Sequence, residues 1–299
     1  MIKRNKLADK KSRYILFWCV TILLVIYCAT IIYPFLWALF SSMMEPREYF
    51  VNYTKFLTLP QSLNFENYKA ILNYTVSTGG IKEWTMWEMA GNTVFLSLTL
   101  GIVGLILPVC ASYCCAKYKF FGANFFFYYG IVFCSIPLIG GASTTFKIIY
   151  FLNLYDTIWV RYYLTITTST FASFLFLYAF FKGLSWTLAE SAFIDGATDF
   201  QVFIHIMLPQ VLHILITFYI GNFIASWNDW QSAYLYTPST PMIAYGVQKI
   251  VKLAGYGNPN LTVPMSYAAL FLMMIPPFIM FIIFHKRILN TVYTGGLKG

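Results

Sequence analysis

The side chains suited to polar chemistry lie in three places. Glu190, Asp195 and Asp199 stand in the stretch between Lys182 and Leu208, among small and apolar neighbours. Thr165, Ser169 and Ser173 recur every four residues, which stacks hydroxyls on one helix face, with Thr168 nearby. Asn228 and Asp229 sit between Trp227 and Trp230. No set of these residues is a catalytic constellation. The chain has no G-x-x-x-x-G-K-[ST] loop to cradle nucleotide phosphates, no H-E-x-x-H pair and no G-x-S-x-G turn. Cysteines 19, 28, 110, 114, 115 and 134 contain no C-x-x-C and read as buried free thiols. His205, His213 and His285 lack metal-ligand spacing and suit packing or capping. What remains is hydrogen bonding and charge contact, without chemistry of the chain's own. No catalytic residue, metal or cofactor is expected in the chain itself.

The elements that must position these groups follow from the placement of charge. Only 10% of the 299 residues are charged, 59% are hydrophobic and 20% aromatic, with a mean hydropathy of +0.65. One water-soluble core of this size cannot hide so much apolar surface. Asp, Glu, Lys and Arg are missing from residues 14–44, 89–116, 120–146, 162–181, 200–228 and 253–285. Each run reaches the roughly 20 residues a helix needs to cross a bilayer. The chain therefore reads as an all-α integral membrane protein with six transmembrane helices. Residues 230–248 are also uncharged, but Pro238, Ser239 and Pro241 argue for a loop there.

Six crossings put both termini on one side. The basic start, with Lys3, Arg4, Lys6, Lys10, Lys11 and Arg13 against Asp9, assigns that side to the cytoplasm. Most of the +9 net charge then faces a lipid leaflet, so no nucleic-acid partner is expected. The apolar run after residue 13 is too long for a cleaved signal and has no small-x-small site. The layout is a cytoplasmic N-terminus (1–13), a first span (14–44), an external segment (45–88), a five-helix core (89–285) containing a cytoplasmic segment (182–208), and a cytoplasmic tail (286–299). The external segment is expected to hold a short helix near residues 64–72. It either meets a delivery protein or caps the bundle as a solvated surface.

No carboxylate or basic group is expected deep in any span. That speaks against an ion-coupled secondary carrier. The hydroxyl stripe of the fourth span either lines a hydrophilic path or is a packing face bonded to its own backbone. Asn228 and Asp229 either face a translocation path, where amide and carboxylate groups hydrogen-bond a polar solute, or sit at the headgroup level beside belt tryptophans.

The cytoplasmic segment 182–208 carries two helix-start signatures, Thr187 with Glu190 and Thr198 with Gln201. Gly196 lies between them, where a left-handed helix end favours glycine. This predicts helix, tight turn, helix, followed by Pro209 in the first turn of span five. Two short helices at a fixed angle, bearing acids away from the bilayer, make a rigid knob able to transmit force.

Glu190-Ser191-Ala192, then Gly196, then Ile206, Leu208 and Pro209 resemble the E-A-A-x3-G-x9-I-x-L-P motif of permease subunits of ATP-binding-cassette importers, with Ser191 the one departure. Trp227-Asn228-Asp229-Trp230 and the ending Gly295-Gly296-Leu297-Lys298-Gly299 are similar to signatures of the carbohydrate branch. Tyr33-Pro34, Ser41-Ser42, residues 64–68 and Asn92-Thr93 extend the likeness to the maltose-type inner-membrane permeases. The resemblance implies the type I importer permease fold and a homologous second permease as partner. It further implies a cytoplasmic ATPase dimer that holds ATP and Mg, and an extracytoplasmic binding protein that delivers a sugar or oligosaccharide. Glu190, Ser191, Ala192, Asp195, Gly196, Ile206, Leu208 and Pro209 would contact the ATPase; Thr165, Ser169, Ser173, Asn228 and Asp229 would line the solute path. The same architecture carrying a polyol, peptide or amino acid, or a scaffold that transports nothing, stays open. The expected location is the bacterial inner membrane, with both termini cytoplasmic.

Overall fold

The structure is a computed structural model that describes residues 2–55, 58–78, 82–135, 141–168, 171–258 and 260–296. The helices are α1 (Ile2–Ser42), α2 (Pro46–Asn52), α3 (Glu66–Asn73), α4 (Met86–Lys117), α5 (Ala123–Ser135), α6 (Gly141–Phe151), α7 (Trp159–Thr167), α8 (Phe171–Gly183), α9 (Thr187–Ile194), α10 (Asp199–Val202), α11 (Leu208–Gln210), α12 (Leu212–Trp227), α13 (Trp230–Tyr236), α14 (Ile243–Gly255) and α15 (Val263–Gly296). A π-helical turn, Phe203–Met207, joins α10 to α11. A two-stranded antiparallel hairpin, β1 (Thr75–Ser77) and β2 (Glu83–Thr85), precedes α4. Among the described residues, three helices are long and apolar enough to span a membrane: α1 over Arg13–Ser42, α4, and α15 over Val263–Lys286. The fourth and fifth expected crossings are bent pairs, α7 with α8 at 58° and the α10–α11 run with α12 at 78°. Residues 120–146 hold α5 and the start of α6, with 136–140 outside the described residues.

The chain forms two compact units. The first contains residues 1–71 and 250–272. Within it, Asn67 Nδ2 donates to the carbonyls of Ser42 and Met44, both at 2.9 Å, closing the last turn of α1 whose carbonyls have no helical partner. Trp37 packs edge-on against Tyr267 at 5.6 Å, as does Phe35 against Phe271 at 5.2 Å.

The second unit, residues 72–249 and 273–299, is built around α4. Its start is a capping box: the Thr85 hydroxyl accepts from the Glu88 amide and the Glu88 carboxylate accepts from the Thr85 amide. Helix α12 lies against α4 because Gly101 and Gly104 have no Cβ; one on Gly101 would stand 2.7 Å from the Tyr219 ring, and one on Gly104 2.9 Å from the Asn222 amide nitrogen. Helix α4 also packs on α7 and α8.

Residues 230–248 depart from the expected loop. They form α13, a turn, and the first part of α14, with Tyr236, Thr237, Met242, Ile243, Ala244 and Val247 buried. The prolines sit in the turn, and side chains from distant elements take up its backbone. Asp156 accepts the Ser239 amide at 2.8 Å and the Ser239 hydroxyl at 2.6 Å; Thr93 Oγ1 accepts the Ile243 amide at 2.8 Å. The Thr93 bond is buried, where non-helical backbone is tolerated only when paired; the Asp156 bonds hold the exposed tip of the turn.

The cysteine expectation is also revised. The thiols of Cys19, Cys28, Cys110 and Cys114 are free, but they lie exposed on helix surfaces rather than buried, and Cys115 is half-buried. On spans that face hydrocarbon, such exposure is apolar contact without a protein neighbour.

The Thr93 bond gives a test. Thr93→Val keeps the shape but leaves the Ile243 amide unpaired, and should lower stability by about 1–3 kcal/mol. Thr93→Ser should stay close to wild type, both read by thermal unfolding of detergent-purified protein.

Candidate functional site

The hairpin after α8 is built largely as the sequence dictates. Helix α9 ends at Asp195 in a Schellman motif: the Ala197 amide donates to the Ala192 carbonyl at 2.9 Å and the Gly196 amide to the Phe193 carbonyl at 3.1 Å. Gly196 carries the required φ of +83°. Helix α10 starts on the expected capping box, with the Gln201 carboxamide accepting the Thr198 amide at 2.8 Å and the Thr198 hydroxyl accepting the Gln201 amide at 3.4 Å. The first signature resolves differently. Thr187 is the first helical residue, not a cap, and its amide reaches the Ser185 hydroxyl at 3.3 Å.

Pro209 causes the next irregularity. A proline gives no amide proton and its ring collides with the carbonyl four residues back. The preceding turn widens instead, and the Leu208 amide bonds the Phe203 carbonyl five residues back. The chain then turns by 78° at Val211 into α12. Residues 200–210, expected at the start of span five, therefore lie off its axis. Helix α12 itself keeps 16 residues, about 24 Å of rise.

The inner face of the hairpin is anchored. Ala189, Val202, Met207 and Val211 are completely buried and join Val109 and Tyr113 of α4 with Leu177 and Phe181 of α8 in one cluster. Tyr113 lies 4.6 Å from Phe203 and 5.5 Å from Phe181, ring to ring. Tyr118 donates its hydroxyl to Asp199 at 2.7 Å and packs edge-on to Trp186. Burial, then the bond to the carboxylate, pushes the Tyr118 phenol above its ordinary pKa, so it stays a donor at physiological pH. The outer face is the opposite in character. Glu190, Ser191, Asp195 and Gly196 are exposed, beside the bare apolar side chains of Ile194 (86%) and Phe200 (69%). Acids interleaved with exposed large apolar groups mark a contact surface. Ala192, Ile206 and Leu208 are half-buried beneath it, and Pro209 is exposed at the bend.

At the far end of α12 lies a polar cavity of about 610 Å³. Of the hydroxyl stripe, Thr165 lines it and Ser173 does not, being buried in α8; Ser169 lies outside the described residues. Thr168 joins Thr165, and Asn222 and Gln231 add amide groups. Asn228 and Asp229 line it as well, where α12 stops and α13 begins. Asp229 caps α13 by accepting the Ser232 amide at 2.9 Å. Trp227 is no belt residue: it is buried, stacks on Phe223 and donates its indole N–H to the Met273 carbonyl at 2.8 Å.

The sequence reading missed Arg161. It stands one turn before Thr165 on α7, 3% exposed, with Nη1 3.1 Å from Asp229 Oδ2. That is ion-pair range but out of line for a hydrogen bond, and Nη2 donates to the Met242 sulfur at 2.8 Å. Arg161 is buried in the first turn of α7, at the end of the α7–α8 pair rather than deep within it, and its charge is balanced by Asp229. The sequence signal was Arg161 at the boundary of an uncharged run, four residues from a polar stripe. Of the C-terminal signature, residues 297–299 lie outside the described residues.

The pair makes an asymmetric prediction. Asp229→Ala strands a buried guanidinium and should cost about 3–5 kcal/mol, whereas Arg161→Met leaves a carboxylate facing the cavity and should cost less. The double variant should recover most of the loss of Asp229→Ala, measured by thermal unfolding.

Comparison with known proteins places these features. Residues 104–292 match the family model described as "Binding-protein-dependent transport system inner membrane component". The chain is 26% identical over 290 residues to the arabinooligosaccharides transport system permease protein of Halalkalibacterium halodurans, covering 97% of this chain and 99% of that one. It is 27% identical to the trehalose transport system permease protein of Mycobacterium tuberculosis, covering 96% and 99%. Among solved structures, a chain of a bacterial ABC transporter involved in the import of the acidic polysaccharide alginate superposes with a TM-score of 0.72 at 21% identity, covering 92% of this chain and 97% of that one. The fold is that of an ABC importer permease.

Proposed function

The chain belongs to the family of binding-protein-dependent transport system inner membrane components, and from that premise we propose that it forms half of the translocation path of an ATP-driven saccharide importer. As a multi-pass membrane protein with this fold it needs a separate motor. Its partners would be a homologous second permease, a cytoplasmic ATPase dimer that binds ATP and Mg, and an extracytoplasmic binding protein that delivers the sugar. The observation that carries the reading is the hairpin, anchored on its inner face and bare on its outer one. The knob of Glu190, Asp195 and Gly196 would seat in the ATPase with both termini on that side. The saccharide reading draws support from the solutes named for the relatives and from the polar cavity, whose hydroxyl, amide and carboxylate groups suit sugar hydroxyls.

Transport by this scheme requires that closure of the ATPase favour one arrangement of the spans over the other. A partner that bound both equally would shift nothing. The α9–α10 hairpin would pass that preference to α12, since Val211 joins them, and α12 ends at the cavity. ATP hydrolysis takes place on the partner; this chain supplies no catalytic group.

The experiment is uptake by proteoliposomes containing the whole assembly and its binding protein. Glu190→Lys or Gly196→Pro should lower sugar uptake at least tenfold, a loss of about 1.4 kcal/mol or more in coupling, while the chain still inserts. ATP hydrolysis should lose its response to the binding protein. Wild-type uptake in both variants would refute the coupling role. Normal uptake of a polyol, peptide or amino acid with no saccharide carried would refute the substrate class.

A further inference from the structure

We propose that the second unit carries a binding site for an anionic phospholipid, formed where α4, α5 and α8 end beside the coupling hairpin. Two adjoining cavities make the site. One, of about 850 Å³, is lined by Lys117, Lys119 and Lys182 and by no carboxylate, together with the first turn of α5 at Asn124 and Phe125. The other, of about 540 Å³, runs between α5 and α8 and is apolar, lined by Phe127, Ile131, Leu175 and Ala179. Tyr178 and Lys182 belong to both, so the basic chamber opens directly into the apolar groove.

The lysines are held in place. Lys117 donates to the Leu184 carbonyl at 2.7 Å and lies 5.8 Å from the Trp186 ring; Lys182 lies 5.4 Å over the Tyr178 ring. Helix-end capping accounts for Lys117 but not for Lys119, which follows α4 and is exposed. The start of α5 adds its positive dipole end to the same chamber. Asp199 does not line the chamber but accepts the hydroxyl of Tyr118, which does, on one carboxylate oxygen. Three ammonium groups and a helix N-terminus outweigh the one neighbouring carboxylate, Asp199, and suit a phosphodiester. A free phosphate would satisfy the chamber alone. The continuous apolar groove, and the exposed Phe125, Tyr128 and Tyr129 beside it, call for a ligand with an acyl chain. The site is distinct from the solute cavity and does not depend on which solute is carried.

The test is native mass spectrometry of the detergent-purified importer assembly titrated with phosphatidylglycerol, with phosphatidylcholine as control. Wild type should retain phosphatidylglycerol in preference. The Lys119→Gln/Lys182→Gln variant should lose about tenfold or more of that retention, the combined worth of two lysines toward an anionic headgroup, and keep its phosphatidylcholine adducts. Ala179→Trp, which fills the groove without touching a charge, should lose phosphatidylglycerol as well. Equal retention in wild type and both variants would overturn the proposal. So would displacement of the lipid by millimolar inorganic phosphate as readily as by phosphatidylglycerol, or a protein subunit covering the groove in the assembly.

Discussion

Backbone groups freed at each helix break must find partners where water is scarce, and this requirement shapes the second unit throughout. The chain breaks at Val211, at Asn228 and between Thr237 and Met242. Asp229 caps the helix that restarts after one break, while Asp156 and Thr93 hold the turn at another. At Pro209 a wider helical turn does the same for the amide before it. Each device draws on a residue whose neighbours in sequence give little hint of its role, because the partner is often far away along the chain. Of these amides the one of Ile243 is buried, where leaving it unpaired would cost about 1–3 kcal/mol, so Thr93 does most to fix where that break can fall.

The two polar features lie at opposite ends of one rod. Helix α12 begins where the hairpin ends and stops where the cavity starts, and it rests against α4 through positions that only glycine allows. Small residues at that contact leave little room for a sliding layer of side chains. Arg161 and Asp229 tie the far end of the rod to α7, and Met242 receives the second guanidinium nitrogen. The buried pair adds little net stability, yet it fixes one geometry for the cavity wall because each charge is expensive without the other.

The hairpin itself shows how a contact surface is made from a short segment. Eight residues of α9 cannot hold a helix alone. Packing of Ala189, Val202 and Met207 against α4 and α8 supplies the stability, and the acids and Ile194 are left facing outward. The inner face holds the segment in place and the outer one is left bare.

The sequence alone determined the membrane class, most of the apolar segments that become long or bent spanning helices, and the helix-turn-helix. These follow from local physics: uncharged runs of bilayer length, a capping box at Thr198 and a left-handed glycine at Gly196. It also brought Asn228 and Asp229 forward as polar residues at the end of a span. Tertiary structure decided what depended on pairing between distant segments. It put Arg161 against Asp229, turned residues 230–248 from a presumed loop into α13 and α14, and took Trp227 out of the membrane belt into the interior. It separated Thr165, which faces the cavity, from Ser173, which does not, because the bend between α7 and α8 breaks the single helix face that the four-residue spacing assumed. A periodic pattern specifies one face only while the helix stays straight, and the direction of a bend is set by what packs against it.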